Sequence, residues 1–190
     1  MRLDIKKMFL AFGLMLSLNA NAATTNDFTA DFDFNNWSIT QQGDGQVNTV
    51  GDYAIEMISA DDDSGLVQTQ TISTVLSESG TLNFSWDYVT LDEAAVWDLF
   101  GYFVGDKYKY LTDDSLTDQS GSESINLLSG ATFGFFQESL GSEYGAATTN
   151  ITDFSFTSAV SAVPEPSTYA LMLLGLGLIG YMARRRHNIQ

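Results

Sequence analysis

Apolar and polar residues alternate with a period of two along most of the chain between residues 23 and 160. The clearest stretch covers residues 81–88, where four large apolar side chains are interleaved with polar ones. Successive side chains of a strand point to opposite faces, so this pattern predicts half-buried β-strands. Shorter stretches of the same kind occur at Phe28–Phe34, Trp37/Ile39, Ile55/Met57, Ile125/Leu127, Phe133/Phe135 and Phe154/Phe156.

Turn signals and one hairpin complete the prediction of the fold. Segments rich in glycine, aspartate and serine separate the predicted strands. Leu99–Val104 and Lys107–Leu111 flank Gly105-Asp106, where glycine in the first central position suits a two-residue type II′ turn. Residues 93–96 favour at most one helical turn. About eight such strands predict an all-β fold, an antiparallel two-sheet sandwich that is jelly-roll-like.

The first 22 residues have the three parts of a signal peptide. Basic residues precede an apolar run from Met8 to Leu18, which is too short to stay in a membrane as a mature helix. Ala20 and Ala22 then supply the small residues that signal peptidase requires. We expect a signal helix that is removed by cleavage after Ala22, and the Ala-x-Ala spacing argues against an uncleaved anchor.

Residues 161–190 combine a proline-containing neck, an apolar stretch and a basic cluster. The neck consists of Pro164, Glu165 and Pro166, and its two prolines prevent a helix and keep the peptide extended. Residues 168–183 predict a transmembrane helix that would span roughly 24 Å at 1.5 Å per residue. Positive charges stay on the cytoplasmic side and stop transfer, which is the role we expect for Arg184, Arg185 and Arg186.

These three elements together resemble the PEP-CTERM sorting signal of Gram-negative bacteria, which the transpeptidase-like enzyme exosortase reads. The resemblance covers residues 163–186. It implies cleavage at or near Pro164–Pro166, loss of the helix, and an inner-membrane intermediate followed by a cell-surface or extracellular location. It also implies a species that makes exopolysaccharide. The same tail is catalogued under an "ice-binding protein C-terminal" motif, a name that implies no ice binding.

The exported body is strongly acidic. The chain has a formal net charge of −16, but residues 23–166 carry 23 acidic and 2 basic residues, a net charge of −21. Such a body repels phosphates and anionic lipids, so nucleic acid is excluded as a partner, and membrane contact is expected through the C-terminal helix before cleavage. There is no cysteine, so burial of apolar side chains must stabilise the fold.

The body offers few residues for catalysis. His187 lies in the tail, so Ser-His-Asp, Cys-His and ordinary zinc sites are excluded, and no catalytic residue and no cofactor are predicted. Calcium stays open because the surface is rich in oxygen ligands. However, Asp61–Gly65 does not fit an EF-hand loop, and Thr112–Ser115 fails in a similar way. Asp31 or Asp153 could contribute to a site built from residues distant in sequence.

Three classes of function remain. The first is a structural or adhesive component of an exopolysaccharide or biofilm matrix, without enzyme activity. The second is a carbohydrate-binding module, for which exposed rings of Tyr102, Tyr108 and Tyr110 are the candidates unless they belong to the core. The third is a hydrolase, which would need two carboxylates. Lys107 and Lys109 either bind an anionic sugar or offset neighbouring carboxylates, and we favour the second interpretation.

Overall fold

The computed structural model describes residues 22–159 and 172–179. Residues Ala22–Ala159 form one unit, and it consists of eleven β-strands with short connections. The strands are β1 (Thr24–Asn26), β2 (Ser38–Thr40), β3 (Gln46–Val50), β4 (Ala54–Ile58), β5 (Gln68–Val75), β6 (Gly80–Thr90), β7 (Asp98–Val104), β8 (Lys107–Tyr110), β9 (Asp118–Leu127), β10 (Thr132–Ser139) and β11 (Ala147–Ser158).

The strands form two antiparallel sheets that pack face to face. Sheet A has the order β3-β4-β11-β6-β9, with β1 paired to β11. Sheet B has the order β2-β5-β10-β7-β8. Most connections pass from one sheet to the other, as they do in jelly-roll sandwiches. The predicted all-β sandwich is therefore confirmed.

Aromatic side chains dominate the interior between the sheets. Phe84 on β6 packs edge to face against Phe135 on β10, with ring centroids 4.9 Å apart. Trp86 on β6 lies 5.7 Å from Phe100 on β7. Both contacts join sheet A to sheet B. Full burial of a side chain of this size contributes roughly 1.5–3 kcal/mol, so these rings hold together a body that has no disulfide.

The alternating pattern is confirmed as a strand for residues 81–88, which lie in β6. It is wrong for Phe28–Phe34, where the chain forms two 3-10 helices, Ala30–Phe32 and Phe34–Asn36. Local polar contacts explain the difference, because Asp33 accepts hydrogen bonds at its Oδ1 from the backbone and side-chain nitrogens of Asn35. A third 3-10 helix, Ala95–Trp97, is the single turn expected near residues 93–96.

The predicted hairpin is confirmed. Strands β7 and β8 pair from Val104↔Lys107 to Gly101↔Tyr110, which leaves Gly105 and Asp106 as a two-residue turn. Gly105 has a φ of +57°, a conformation that glycine adopts without a steric penalty. The turn therefore fixes which residues of β8 share a face, and it places Tyr108 and Tyr110 together.

Candidate functional site

The outer face of sheet B is turned away from sheet A and carries two rows of side chains that run across the strands. Within each row the character of the side chains changes from one edge of the sheet to the other. Aromatic rings and glycines occupy β10, β7 and β8, whereas hydroxyl side chains occupy β2 and β5. One row runs across the sheet through Thr40, Thr71, Phe136, Gly101 and Tyr110. The next row runs through Ser38, Ser73, Gly134, Phe103 and Tyr108.

Two glycines allow aromatic rings to lie flat against this face. Phe136 pairs with Gly101, and a Cβ atom at Gly101 would lie 2.8 Å from the Phe136 ring. Phe103 pairs with Gly134, where a Cβ atom would lie 2.5 Å from the Phe103 ring. Both rings are buried although neither belongs to the core between the sheets. Glycine opposite an aromatic residue is a known way to cover the sheet backbone.

Tyr108 and Tyr110 project from the edge strand β8 onto this aromatic floor. Their rings lie edge to face against Phe136, with centroids 5.3 and 5.1 Å away. Tyr108 also stacks on Phe103 at 5.2 Å. The two tyrosines nevertheless stay 58% and 50% exposed. They are therefore held in place from below while one part of each ring faces solvent.

These rings form one wall of a groove with a volume of about 360 Å³. We call it the tyrosine groove; its aromatic side is Tyr108, Tyr110 and Phe136. The opposite side consists of polar residues, namely Thr40, Gln42, Thr69, Thr71 and Glu138. Binding sites for small molecules usually combine apolar walls with a few polar groups that fix orientation. An aromatic wall facing hydroxyl and carboxylate groups suits a ligand with an apolar face and polar edges.

Hydrogen bonds hold the polar side of the tyrosine groove. The backbone nitrogen of Thr69 donates to Oε1 of Gln42 at 2.8 Å. The buried side chain of Gln70 fixes the backbone of Gln42, because it accepts from its nitrogen at 2.7 Å and donates to its oxygen at 3.0 Å. Oε2 of Glu138 accepts from the Thr69 hydroxyl at 3.3 Å. The polar groups are thereby oriented before a ligand arrives.

The carboxylate of Glu138 acts on the neighbouring tyrosine. Burial raises the pKa of Tyr110, and the negative charge of Glu138 adds to this rise. A tyrosine hydroxyl is protonated at neutral pH in any case, and the raised pKa keeps Tyr110 a hydrogen-bond donor further into the alkaline range. Among the residues lining the groove in the described part of the chain, Glu138 carries the single formal charge.

Tyr102, Tyr108 and Tyr110 were expected either to be exposed or to belong to the core, and the structure divides them, because Tyr108 and Tyr110 are exposed. Tyr102 is buried in the core, where its ring lies 6.0 Å from Phe84. Phe136 and Glu138 were not predicted. The adjacent pair Phe135-Phe136 was a usable signal, because two consecutive aromatic residues in a strand must point to opposite faces.

The two lysines of β8 lie on the face opposite the tyrosines. Lys109 donates to both carboxylate oxygens of Glu123 on β9, at 2.9 and 2.8 Å. Its Nζ also lies 5.5 Å from the ring centroid of Tyr102. This ion pair joins the edge of sheet B to the edge of sheet A. Lys109 thus offsets a carboxylate, in agreement with the interpretation favoured from the sequence.

Carboxylates in the acidic turns considered for calcium accept hydrogen bonds from backbone N–H groups. Oδ1 of Asp61 accepts from the nitrogen of Gly145 at 3.1 Å, and Oδ1 of Asp113 accepts from Ser115 at 2.9 Å. Oδ2 of Asp31 accepts from the Ser77 hydroxyl at 2.5 Å, and Asp153 lies at the bulge in β11 between Thr152 and Ser155. Within residues 22–159 and 172–179, no group of three or more His, Cys, Asp or Glu residues is arranged to hold a metal ion.

Two buried carboxyl groups flank the end of the loop between β6 and β7: Asp92 lies in the loop, and Asp98 is the first residue of β7. Oδ2 of Asp98 accepts from the Thr90 hydroxyl at 3.1 Å, whereas Oδ1 of Asp98 is buried and has no partner among the described residues. Burial raises the pKa of Asp98 to about 6, and the negative charge of Asp92 adds to the rise, while the Ser59 and Thr90 hydroxyls oppose it. Burial also raises the pKa of Asp92. The pair was not predicted from the sequence.

Most of the residues predicted to act in processing lie outside the described residues. These are Ala20, Pro164, Glu165, Pro166, Arg184, Arg185 and Arg186. Ala22 is described and exposed, and the next residue, Ala23, already exchanges hydrogen bonds with Ser158 at the end of β11.

Part of the predicted transmembrane segment is described. Residues 172–179 form a helix, and the rest of the stretch 168–183 lies outside the described residues. No helix within the described residues has the length and apolar character needed to cross a membrane. The span 168–183 stays a prediction.

Comparison with known protein families identifies the tail. The model of the PEP-CTERM protein-sorting motif matches residues 162–186, so the predicted resemblance is confirmed. The motif indicates an exported protein that exosortase sorts. The match concerns the tail and not the body, and no curated protein sequence matches the chain.

Solved structures similar to the body are β-rich domains of low sequence identity. The K3 cleaved adhesin domain of Lys-gingipain from Porphyromonas gingivalis w83 is 12% identical, with 76% of this chain and 100% of that chain covered and a TM-score of 0.43. A CBM29-2 mutant complexed with cellulohexaose is 13% identical, with 73% of this chain and 93% of that chain covered and a TM-score of 0.40. A family 35 carbohydrate binding module from Clostridium thermocellum is 13% identical, with 73% of this chain and 100% of that chain covered and a TM-score of 0.38. These titles describe those proteins and assign no residue role to this chain.

Proposed function

We propose that the body binds polysaccharide outside the cell through the tyrosine groove, and that it thereby acts as an adhesive component of an exopolysaccharide or biofilm matrix. The observation that carries the proposal is the fixed position of Tyr108 and Tyr110, which are half exposed above a buried Phe136. Sugar rings have an apolar face that packs on aromatic rings and hydroxyl edges that need polar partners. The tyrosine groove offers both.

The polar side of the groove supports a binding role over a catalytic one. A glycosidase uses two carboxyl groups placed on either side of the scissile bond. Among the groove residues that the structure describes, Glu138 is the one carboxylate. Threonine hydroxyls and the Gln42 side chain supply the remaining polar groups. This arrangement suits recognition of hydroxyl groups, so the body is proposed to be a non-catalytic module.

Affinity electrophoresis of the full-length chain through gels containing neutral polysaccharides tests the proposal. We expect retardation in at least one gel, and we expect Tyr108→Ala to weaken it on the order of tenfold, about 1.4 kcal/mol. Tyr53→Ala is the matched control, because Tyr53 is also 58% exposed but lies in the turn between β3 and β4.

Equal loss of retardation in both tyrosine variants, or none in either, would contradict binding at the tyrosine groove. Turnover of a polysaccharide that is abolished by Glu138→Gln would instead establish the hydrolase alternative. In that case the groove would be an active site.

The processing route is part of the same proposal. Signal peptidase removes residues 1–22 after Ala22, the body comprises residues 23–160, and residues 161–190 are the sorting region. Exosortase acts at or near Pro164–Pro166 after the helix 168–183 and Arg184–Arg186 have held the chain in the inner membrane of a Gram-negative bacterium. The motif match at residues 162–186 supports this order.

Mass spectrometry of the protein recovered from cells tests the route through its two new ends. We expect an N-terminus at Ala23 and a C-terminus near Pro166. Recovery of chains that still contain Gln190 from a strain with exosortase would contradict it.

A further inference from the structure

A second depression lies on the same outer face of sheet B, next to the tyrosine groove. It has a volume of about 590 Å³. The outward side chains of Ser38, Ser73 and Thr132 line it, and Asp31, Asn36 and Ser77 from the adjoining turns form its rim. We call it the serine groove. None of these residues lines the tyrosine groove, where Tyr108 and Tyr110 are proposed to contact a sugar ring.

The two grooves are neighbours along the strands of sheet B. On β2 the outward positions are Ser38 and then Thr40, and on β5 they are Ser73 and then Thr71. The two serines line the serine groove, and the two threonines line the tyrosine groove. On β10 the position between the grooves is Gly134, which has no side chain to separate them. The flat ring of Phe103 covers it instead.

The combined surface is long enough for several sugar rings. It extends along β5 from Thr69 to Val75, a span of about 20 Å at roughly 3.4 Å per residue. A ligand that contacts both ends must be extended. Several consecutive sugars of a linear polysaccharide meet this requirement, whereas a single sugar does not.

The rim of the serine groove is held in place by hydrogen bonds. Oδ2 of Asp31 accepts from the Ser77 hydroxyl at 2.5 Å. The backbone oxygen of Asn36 accepts from the Thr74 hydroxyl at 3.0 Å, and Nδ2 of Asn36 donates to the backbone oxygen of Asp31 at 3.2 Å. These contacts tie the 3-10 helices to β5. The shape of the second groove is therefore built into the fold.

Charge defines which polysaccharides fit. Each groove contains one carboxylate, Glu138 in the first and Asp31 in the second, and no described lining residue is a lysine or arginine. The whole body carries a large negative charge as well. A chain of uronic acids or sulfated sugars would be repelled on approach and would find no cationic partner.

We infer that the tyrosine and serine grooves form one extended site for several consecutive sugars of a linear polysaccharide without acidic groups. This inference rests on the proposed function and specifies its ligand. It adds a contact surface that a short oligosaccharide cannot reach.

Calorimetric titration of the full-length chain with oligosaccharide ladders tests the inference. The probes are β-1,3-glucan, β-1,4-glucan and β-1,4-mannan ladders from disaccharide to octasaccharide, with oligo-alginate as the acidic probe. We expect affinity for one neutral ladder to rise at least tenfold with length. We also expect oligo-alginate to bind at least tenfold more weakly than the neutral octasaccharide.

Ser38→Tyr separates the two grooves in the same experiment. Ser38 is exposed on an edge strand, so a larger ring would fill the serine groove without entering the core. The variant should keep the affinity for the disaccharide and lose the gain with length. Ser122→Tyr is the matched control, because Ser122 is exposed on the edge strand β9 of sheet A.

The possible failures are distinguishable. Binding that is equally tight for short and long neutral probes, with no effect of Ser38→Tyr, would overturn the extended site and leave the tyrosine groove intact. If oligo-alginate binds as tightly as the neutral octasaccharide, the inference that the ligand has no acidic groups is overturned. If no ladder binds and no neutral polysaccharide retards the chain, both the proposed function and this inference fail.

Discussion

Replacing the buried Asp98 by asparagine removes an ionisable group from the interior while it keeps the shape of the side chain. The Oδ1 atom of asparagine can still accept from Thr90, as Oδ2 of Asp98 does at 3.1 Å. Its amide nitrogen takes the place of Oδ1 of Asp98, which is buried and accepts no hydrogen bond from the described residues. The substitution therefore tests the cost of ionising Asp98 with little change in packing.

The sign of the effect follows from the direction of the pKa shift. Burial raises the pKa of Asp98 from 3.8 to about 6. Between these values the folded state holds a proton that the unfolded state has lost, so the free energy of unfolding decreases as the pH rises through this window. A shift of about two pKa units at 1.36 kcal/mol per unit corresponds to about 2–3 kcal/mol. The contribution is fully present below pH 4 and lost above about pH 6.

Urea unfolding followed by tryptophan fluorescence at a series of pH values measures this difference. The free energy of unfolding of Asp98→Asn should exceed that of the parent by about 2–3 kcal/mol at pH 7.5, and the two should converge near pH 4. Asp87→Asn, a change at an exposed position of β6, is the control and should follow the parent at every pH. Parallel curves for Asp98→Asn and the parent would refute a buried, protonated Asp98.

Two further predictions concern the sheet and the acidic turns. Gly101→Val should lower the free energy of unfolding by about 1–3 kcal/mol and abolish glycan retardation, because the new side chain would meet Phe136 and the backbone of Lys109. Urea unfolding and affinity electrophoresis measure the two effects, with Gly141→Val as the control at a position where a Cβ atom meets nothing within 4 Å. Thermal melts with calcium and with a chelator should give the same midpoint, because Asp61 and Asp113 already accept backbone N–H groups. A higher midpoint with calcium would contradict this.

The strands of the core could be predicted from the sequence because burial on one face imposes a period of two. This worked for β6, where Leu82, Phe84 and Tyr88 all point into the core. It failed near Phe32, because closely spaced apolar residues do not distinguish a strand from consecutive 3-10 turns that also bury their aromatic side chains. Asp33 and Asn35 favour turns through local hydrogen bonds, and these contacts decided the outcome.

The candidate site was only partly predictable, because it depends on register between strands that are distant in sequence. The hairpin placed Tyr108 and Tyr110 on one face, and this part follows from local turn geometry. The polar wall comes from β2, β5 and β10, and their order in sheet B is not encoded by any local pattern. For the same reason the pairing of Asp92 with Asp98 was not visible, since the sequence gives no measure of burial for either carboxyl group.

The pairing of β1 with β11 has a mechanical consequence for a protein attached through its C-terminal region. Strand β11, from which the chain leaves the body, lies inside sheet A and pairs with β4, β6 and β1. A pull on this end must shear hydrogen bonds along several neighbours at once, instead of peeling an edge strand one residue at a time. A load applied at Ser158, the end of β11, would therefore be shared by three neighbouring strands.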